Sequence, residues 1–129
     1  MKKSTELEEM TKNIVDGMQA HHVKCIVYTA SAGINKEIPG ISRKIVMKLL
    51  KNALTDHRHA VDYIEAHGLN FTIARPMSLT NDIFTGTYRE SKAFVPEKAS
   101  RISRADLAHF IVKTLSDEKY ENASISIYK

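Results

Sequence analysis

The sequence predicts an α/β fold in which a parallel sheet of about three main strands is flanked by helices. Three observations carry this. Segments with helical spacing of apolar residues alternate with short β-rich segments. Successive β-rich segments are separated by helical stretches, the kind of connection that parallel strands need. Turn-forming residues fall between the periodic segments rather than inside them. The 129 residues fit one domain, 1–129, with no internal repeat, low-complexity tract or linker to divide them.

The elements follow in order. Leu7 to His21 carries Leu7, Met10, Ile14, Val15 and Met18 at helical spacing, a single apolar stripe. Val23 to Thr29 is β-rich with an apolar middle, the pattern of a strand covered on both faces. The small residues Ala30-Ser31-Ala32-Gly33 end it, and Pro39-Gly40 marks a turn. Arg43 to Leu54 is helical with Ile45, Val46, Leu49, Leu50 and Leu54 inward; Asp56 to His67 is a second helical stretch with Ala60, Val61 and Ile64 inward. Thr55-Asp56 between them reads as a bend or a new N-cap, and Gly68 stands where a helix C-cap glycine belongs. Leu69 to Ala74 is the next strand, ended by Pro76. Thr85 to Glu90 and Arg101 to Ser103 read as short extended pieces around a loop. Ser103-Arg104-Ala105-Asp106 opens a helix in capping-box fashion, with Leu107, Phe110, Ile111 and Leu115 inward. Ser124 to Tyr128 alternates Ile125 and Ile127 with polar residues as a last strand.

Composition narrows the class of function. No apolar run approaches the ~18 residues of a membrane span, and the charged start Met1-Lys2-Lys3 is unlike a signal peptide, so no membrane partner is expected. The single cysteine, Cys25, excludes an intrachain disulfide and suits a reducing, cytoplasmic setting. Net charge is +4, but the basic residues are scattered, so a solvated surface is expected and nucleic acid is not. No metal site is expected: His21-His22 and His57-x-His59 lack i, i+4 spacing, and Cys25 has no partner at a zinc spacing.

Five segments, in order, resemble the second half of an atypical short-chain dehydrogenase/reductase. They are the helix Thr11 to Met18, the strand Val27 to Ala32 ending in serine, the stretch Gly68 to Pro76, the loop residues Leu79-Thr80 and Thr85-Gly86-Thr87-Tyr88, and the helix start Ile102 to Ala108. Within that family the pattern is most similar to the biliverdin-IXβ/flavin reductase type, which shares the serine after the strand, a Thr-Asp…His element like Thr55-Asp56-His57, and the Thr-Gly-x-Tyr loop. The resemblance implies the C-terminal half of an NAD(P)-binding Rossmann-like fold, hence a partial one. It also implies an NAD(P)H-dependent oxidoreductase acting on a small aromatic, flavin-like or tetrapyrrole substrate. Two features depart from the family. Gly33 and Gly40 do not form its glycine-rich turn, the element that brings backbone against a pyrophosphate. Binding of NADP or NAD is therefore expected to be weak or absent in this chain alone. Met77 stands where the biliverdin/flavin reductase type has a histidine.

The resemblance places Thr29, Ala30, Ser31, Arg75, Pro76 and Met77 against the cofactor, with Ser31 and His57 catalytic. Ser31, at a strand's C-terminal end, can hydrogen-bond a carbonyl or an amide; the alternative is a serine that satisfies its own turn. His57 can donate a proton near neutral pH, or be a plain helix histidine. In the family the backbone at Arg75-Pro76-Met77 lies against the nicotinamide; a structural strand exit is equally compatible. Met77 is as easily an apolar wall. Tyr88 and Arg89 line a substrate loop or a solvent-facing hairpin, and Asp106 reads as a helix cap rather than an acid. No Tyr-x-x-x-Lys pair follows Ser31, since Tyr63 has His67 four residues on, so a reductase fits better than an alcohol dehydrogenase. The other reading is a non-catalytic truncated module acting by binding or oligomerisation. With its neighbour missing, the strand Val23 to Thr29 would expose an edge, from which a homodimer is expected.

Overall fold

The computed structural model describes residues 4–32, 34, 41–92 and 95–129, and the side chains of residues 41–47 and 49 fall outside that description. The helices are α1 (Glu6–Ala20), α2 (Ile41–Ala66) and α3 (Arg104–Thr114); the strands are β1 (Cys25–Thr29), β2 (Asn70–Pro76), β3 (Leu79–Thr80), β4 (Arg89–Ser91), β5 (Ile102–Ser103) and β6 (Ala123–Tyr128). The main sheet has the order β1-β2-β6-β4. β1, β2 and β6 are parallel, and the short β4 runs antiparallel at the far edge, so the three expected strands gain a fourth. β3 and β5 form a separate two-stranded parallel piece.

Alternation along β2 sorts the core into two layers, because successive strand residues point to opposite faces. Ile73 joins Val15, Leu54, Val61, Ile64 and Leu69 in the layer under α1 and α2. Ala74, its neighbour, joins Ile102, Leu107, Phe110, Tyr120, Ile125 and Ile127 in the layer under α3. Full burial of a Val, Ile or Phe side chain stabilises by about 1.5–3 kcal/mol, and Val15, Val61, Ile64, Ile73, Phe110 and Ile127 are all at that limit. Gly68 leaves α2 at φ +68°, a left-handed turn that glycine adopts without strain.

Several expectations need correction. α2 is one continuous helix of 26 residues, without a bend at Thr55-Asp56. Thr55 Oγ1 donates back to the Lys51 carbonyl within the helix. Asp56 does cap a helix, but a different one: its carboxylate accepts from Leu7 N at 3.1 Å and Glu8 N at 2.9 Å, at the start of α1. The stripe on α1 is rotated from that expected, with Thr11 and Val15 buried while Met10 and Ile14 are 50% and 48% exposed. Leu50 and Leu115 are also exposed rather than inward. β1 is not covered on both faces, since its residues are half-buried or exposed. Among the described residues its one sheet partner is β2, so it is an edge strand, as the missing-neighbour argument expected. The extended piece expected from Thr85 is strand only from Arg89. Gly33, Pro39-Gly40 and the side chains of Ile45, Val46 and Leu49 lie outside the described residues.

Candidate functional site

In open α/β sheets, ligands sit beyond the carboxyl ends of the parallel strands, and here those ends carry Ala30 to Ala32 and Met77-Ser78. Backbone bonds hold this rim in register past the strands themselves. Ala30 N donates to the Ala74 carbonyl at 2.7 Å, Ala32 N to the Pro76 carbonyl at 2.9 Å, and Met77 N to the Ile127 carbonyl at 3.0 Å. Ala30, Ala32 and Pro76 are buried, Ser31 and Met77 are half-buried, and Thr29 is exposed. Thr29, Ser31, Met77 and the exposed Ser78 are therefore the rim groups that a ligand can touch. Pro76 ends β2 because its missing N–H interrupts the ladder toward β1, while its carbonyl still accepts from Ala32 N.

The side chain of Ser31, and that of Arg75, whose expected contact was through backbone, are committed within the fold. Ser31 Oγ donates to the Ala32 carbonyl at 3.1 Å, the turn-satisfying arrangement, which leaves its oxygen lone pairs as acceptors. Arg75 is 0% exposed. Its Nε donates to Ser124 Oγ at 2.8 Å, and its guanidinium reaches the Ser124 and Lys92 carbonyls at 3.2 and 3.4 Å. The charged head thus ties β2 to β6 and to the end of β4, and Arg75 meets the rim through its backbone alone.

His57 lies on α2 against β1, where Tyr28 OH and His57 Nδ1 are 3.0 Å apart with the rings edge to face. Burial lowers the pKa of the imidazole, partly offset by the neighbouring charge of Asp56. Burial, reinforced by the same carboxylate, pushes the Tyr28 phenol up to about 12. Thr11 on α1 also borders the phenol, and its hydroxyl opposes part of that rise. Ser31 and His57 share no hydrogen bond; each is held by its own partner. Sequence reasoning missed Tyr28, whose alternation with Val27 and Thr29 placed it on the helix-covered face of β1 but gave no hint of a partner 29 residues away.

The substrate-loop candidates are split in the same way. Tyr88 is half-buried, with its OH 2.8 Å from His109 Nδ1 and its ring beside the Lys113 ammonium. Arg89 is exposed at the start of β4, opposite Tyr128. Thr87, Tyr88, Arg89 and Lys129 line a small open pocket. The loop before Tyr88 is fixed by Asp106, which is 0% exposed and accepts from Thr85 N at 3.0 Å, Thr85 Oγ1 at 2.7 Å and Gly86 N at 2.9 Å. Its own N–H is capped by Ser103 Oγ at 3.0 Å, as the sequence indicated. Asp106 is therefore neither cap nor acid but the anchor of the loop, and these donors hold its carboxyl well below the usual range against the opposing effect of desolvation. Among the described residues no three His, Cys, Asp or Glu converge as a metal site would require, and no helix is long and apolar enough to cross a membrane.

Three parallel strands between helical layers, with a rim of small and polar groups at their carboxyl ends, define a Rossmann-like nucleotide-binding architecture. The chain belongs to the NAD(P)H-binding family, which it matches over residues 1–118. Among solved structures it is similar to a wide-type short-chain dehydrogenase/reductase from Veillonella parvula in complex with NADP (TM-score 0.85, 22% identity, covering 98% of this chain and 60% of that one). It is also similar to a Rossmann-fold NAD(P)-binding family protein from Shigella flexneri (TM-score 0.72, 26% identity, 98% and 56%). A third is ChuY, an anaerobilin reductase from Escherichia coli O157:H7 (TM-score 0.78, 16% identity, 98% and 60%). The chain thus spans about three fifths of the length of these proteins.

Proposed function

We propose that this chain forms the side of an NAD(P)H-dependent reductase that faces the reacting ring, acting on a flavin-like or tetrapyrrole substrate. The observation that carries the reading is the ordered rim at the carboxyl ends of β1, β2 and β6, with a half-buried Tyr28–His57 pair beside it. The donor set suits a nicotinamide. Ser31 offers an acceptor to the carboxamide, Thr29 a hydroxyl at the strand end, and Met77 an apolar surface for the ring, while Ala30, Arg75 and Pro76 contribute backbone. It does not suit a pyrophosphate, because the sequence has no glycine-rich turn to cradle one. A reduced nicotinamide bound there supplies a hydride. The chain's own contribution is to seat the ring, and to present His57 as a hydrogen-bond donor to the substrate. Tyr88 and Arg89 border the substrate from the opposite loop. NADPH-dependent reduction of a free flavin tests this: saturable turnover that falls in Ser31→Ala and His57→Gln variants is expected. Absence of turnover and of any binding heat with millimolar NADPH and NADH would overturn it.

A second reading, a non-catalytic module working through association, is favoured by one observation. The outer edge of β1 is unpaired among the described residues, and Met10 and Ile14 stand exposed on the preceding helix. Such an edge pairs readily with another chain, and a homodimer follows on either reading. Light scattering across a dilution series is expected to give twice the chain mass; a monomer at all concentrations would remove the dimer.

A further inference from the structure

The Tyr28–His57 contact fixes the state of the imidazole, and the inference drawn from it rests on the reductase reading above. We infer that Tyr28 is a positioning residue: its phenol donates to Nδ1 of His57 and so fixes the ring as the neutral tautomer protonated at Nε2. His57 then offers one N–H to a conjugated acceptor that carries a carbonyl or imine atom.

A 3.0 Å contact between a hydroxyl and an imidazole nitrogen allows two proton arrangements, and the surroundings favour one. The phenol keeps its hydrogen at neutral pH, since burial and Asp56 both oppose the phenolate. That hydrogen needs an acceptor. Thr11 acts on the phenol as a donor, in the sense that lowers its pKa, so it does not take that hydrogen, and His57 Nδ1 is at 3.0 Å. Burial disfavours imidazolium and outweighs the neighbouring Asp56 charge, which favours it. From α2, Asp56 is the nearest carboxylate, and its two oxygens are committed to the backbone N–H groups of Leu7 and Glu8. From α1, Glu8 is paired with Lys12 and with His59. From β1, Tyr28 is neutral. A neutral imidazole whose Nδ1 accepts must carry its hydrogen on Nε2.

The chemical use of that N–H follows from electron balance. A hydride delivered by a reduced nicotinamide to the electrophilic atom of the conjugated acceptor (N5 in a flavin, a carbon in a tetrapyrrole) would leave an electron pair on the heteroatom at the other end of the conjugated system. A hydrogen bond from Nε2 stabilises that charge as it develops, and water supplies the proton that completes the reduction. The ring need not change its own charge during the cycle.

The test uses the full chain labelled with ¹⁵N-histidine, with two-bond ¹H–¹⁵N correlation spectra recorded slightly above neutral pH and His57 assigned through His57→Gln. The wild type is expected to show Nδ1 unprotonated and Nε2 protonated. Tyr28→Phe is expected to shift His57 toward a mixture of tautomers. It should also lower kcat for flavin reduction about tenfold, as expected for one lost orienting hydrogen bond, with NADPH affinity unchanged. A wild-type spectrum showing Nδ1–H or a doubly protonated ring would overturn the inference, whether or not the variant folds, as would a Tyr28→Phe spectrum identical to the wild type. The expected spectrum with no flavin reduction would uphold the Tyr28–His57 arrangement and remove the reductase reading.

Discussion

Asp56→Ala removes a cap that one helix provides to another. The N-cap position of α1, Thr5, makes no side-chain capping bond; its hydroxyl donates instead to Glu9. Two of the free N–H groups in the first turn are met by Asp56, across 48 and 49 residues of sequence, at 2.9 and 3.1 Å. A hydrogen bond to a charged partner contributes about 1.5–3 kcal/mol when desolvated, and loss of a helix cap costs about 0.5–2 kcal/mol. Asp56 itself is buried, but α1's first turn is near the surface, so water can replace part of what is lost. The net cost is expected to be about 2–3 kcal/mol, or a fall in Tm on the order of 10 °C for a domain of this size. Urea denaturation followed by circular dichroism measures the first, and thermal unfolding the second. Asp56→Asn, which keeps one carbonyl acceptor, should recover about half of the loss. Amide exchange at Leu7 and Glu8 should quicken in the alanine variant ahead of exchange in β2. An Asp56→Ala protein within about 0.5 kcal/mol of wild type would refute the capping argument.

Two further predictions concern the loop anchor and the buried arginine. The pKa of Asp106 is depressed in the folded chain, so its contribution is complete above the unfolded carboxylate pKa and is lost as pH falls toward the folded value. The stability gap between wild type and Asp106→Asn should be constant from neutral pH to about pH 5 and shrink below about pH 4; urea midpoints measured across that range check it, and a gap that widens on acidification would contradict it. Arg75→Met should destabilise by about 2 kcal/mol or more, because it strips Ser124 Oγ of its partner in a layer where Ser126 Oγ already lacks one; a variant as stable as wild type by urea unfolding would show that packing, not the guanidinium's bonds, holds β2 to β6.

The parts of the fold that were legible in the sequence are those set by local periodicity. The half of α2 from Ala60 to Ile64, the strand ending at Pro76, the Gly68 exit and the Ser103 cap all follow from residue spacing and backbone preference, and the structure has them. What failed depends on tertiary partners. Thr55-Asp56 carries a local N-cap signal, but the groups Asp56 satisfies belong to α1, and no local rule identifies a cap supplied from 48 residues away. The apolar spacing of α1 was read correctly as helical, yet among the described residues no strand lies beyond β1, and Met10 and Ile14 stand exposed. At the site, the family pattern singled out Ser31 and His57 as candidates. Their partners were not legible: the Ala32 carbonyl and the Tyr28 phenol depend on how the turn closes and how α2 crosses β1. Arg75 was expected to meet a cofactor through its backbone; where its side chain goes was not legible, because its partner Ser124 lies 49 residues away on β6.

A titration of the ¹⁵N-labelled chain with NADPH, followed residue by residue, tests most directly whether this rim seats a nicotinamide. Saturable shifts confined to the amides of Thr29 to Ala32, Met77 and Ser78, with dissociation in the millimolar range because no pyrophosphate cradle contributes, are the expected result. Shifts that do not saturate, or that fall elsewhere on the sheet, would contradict the account.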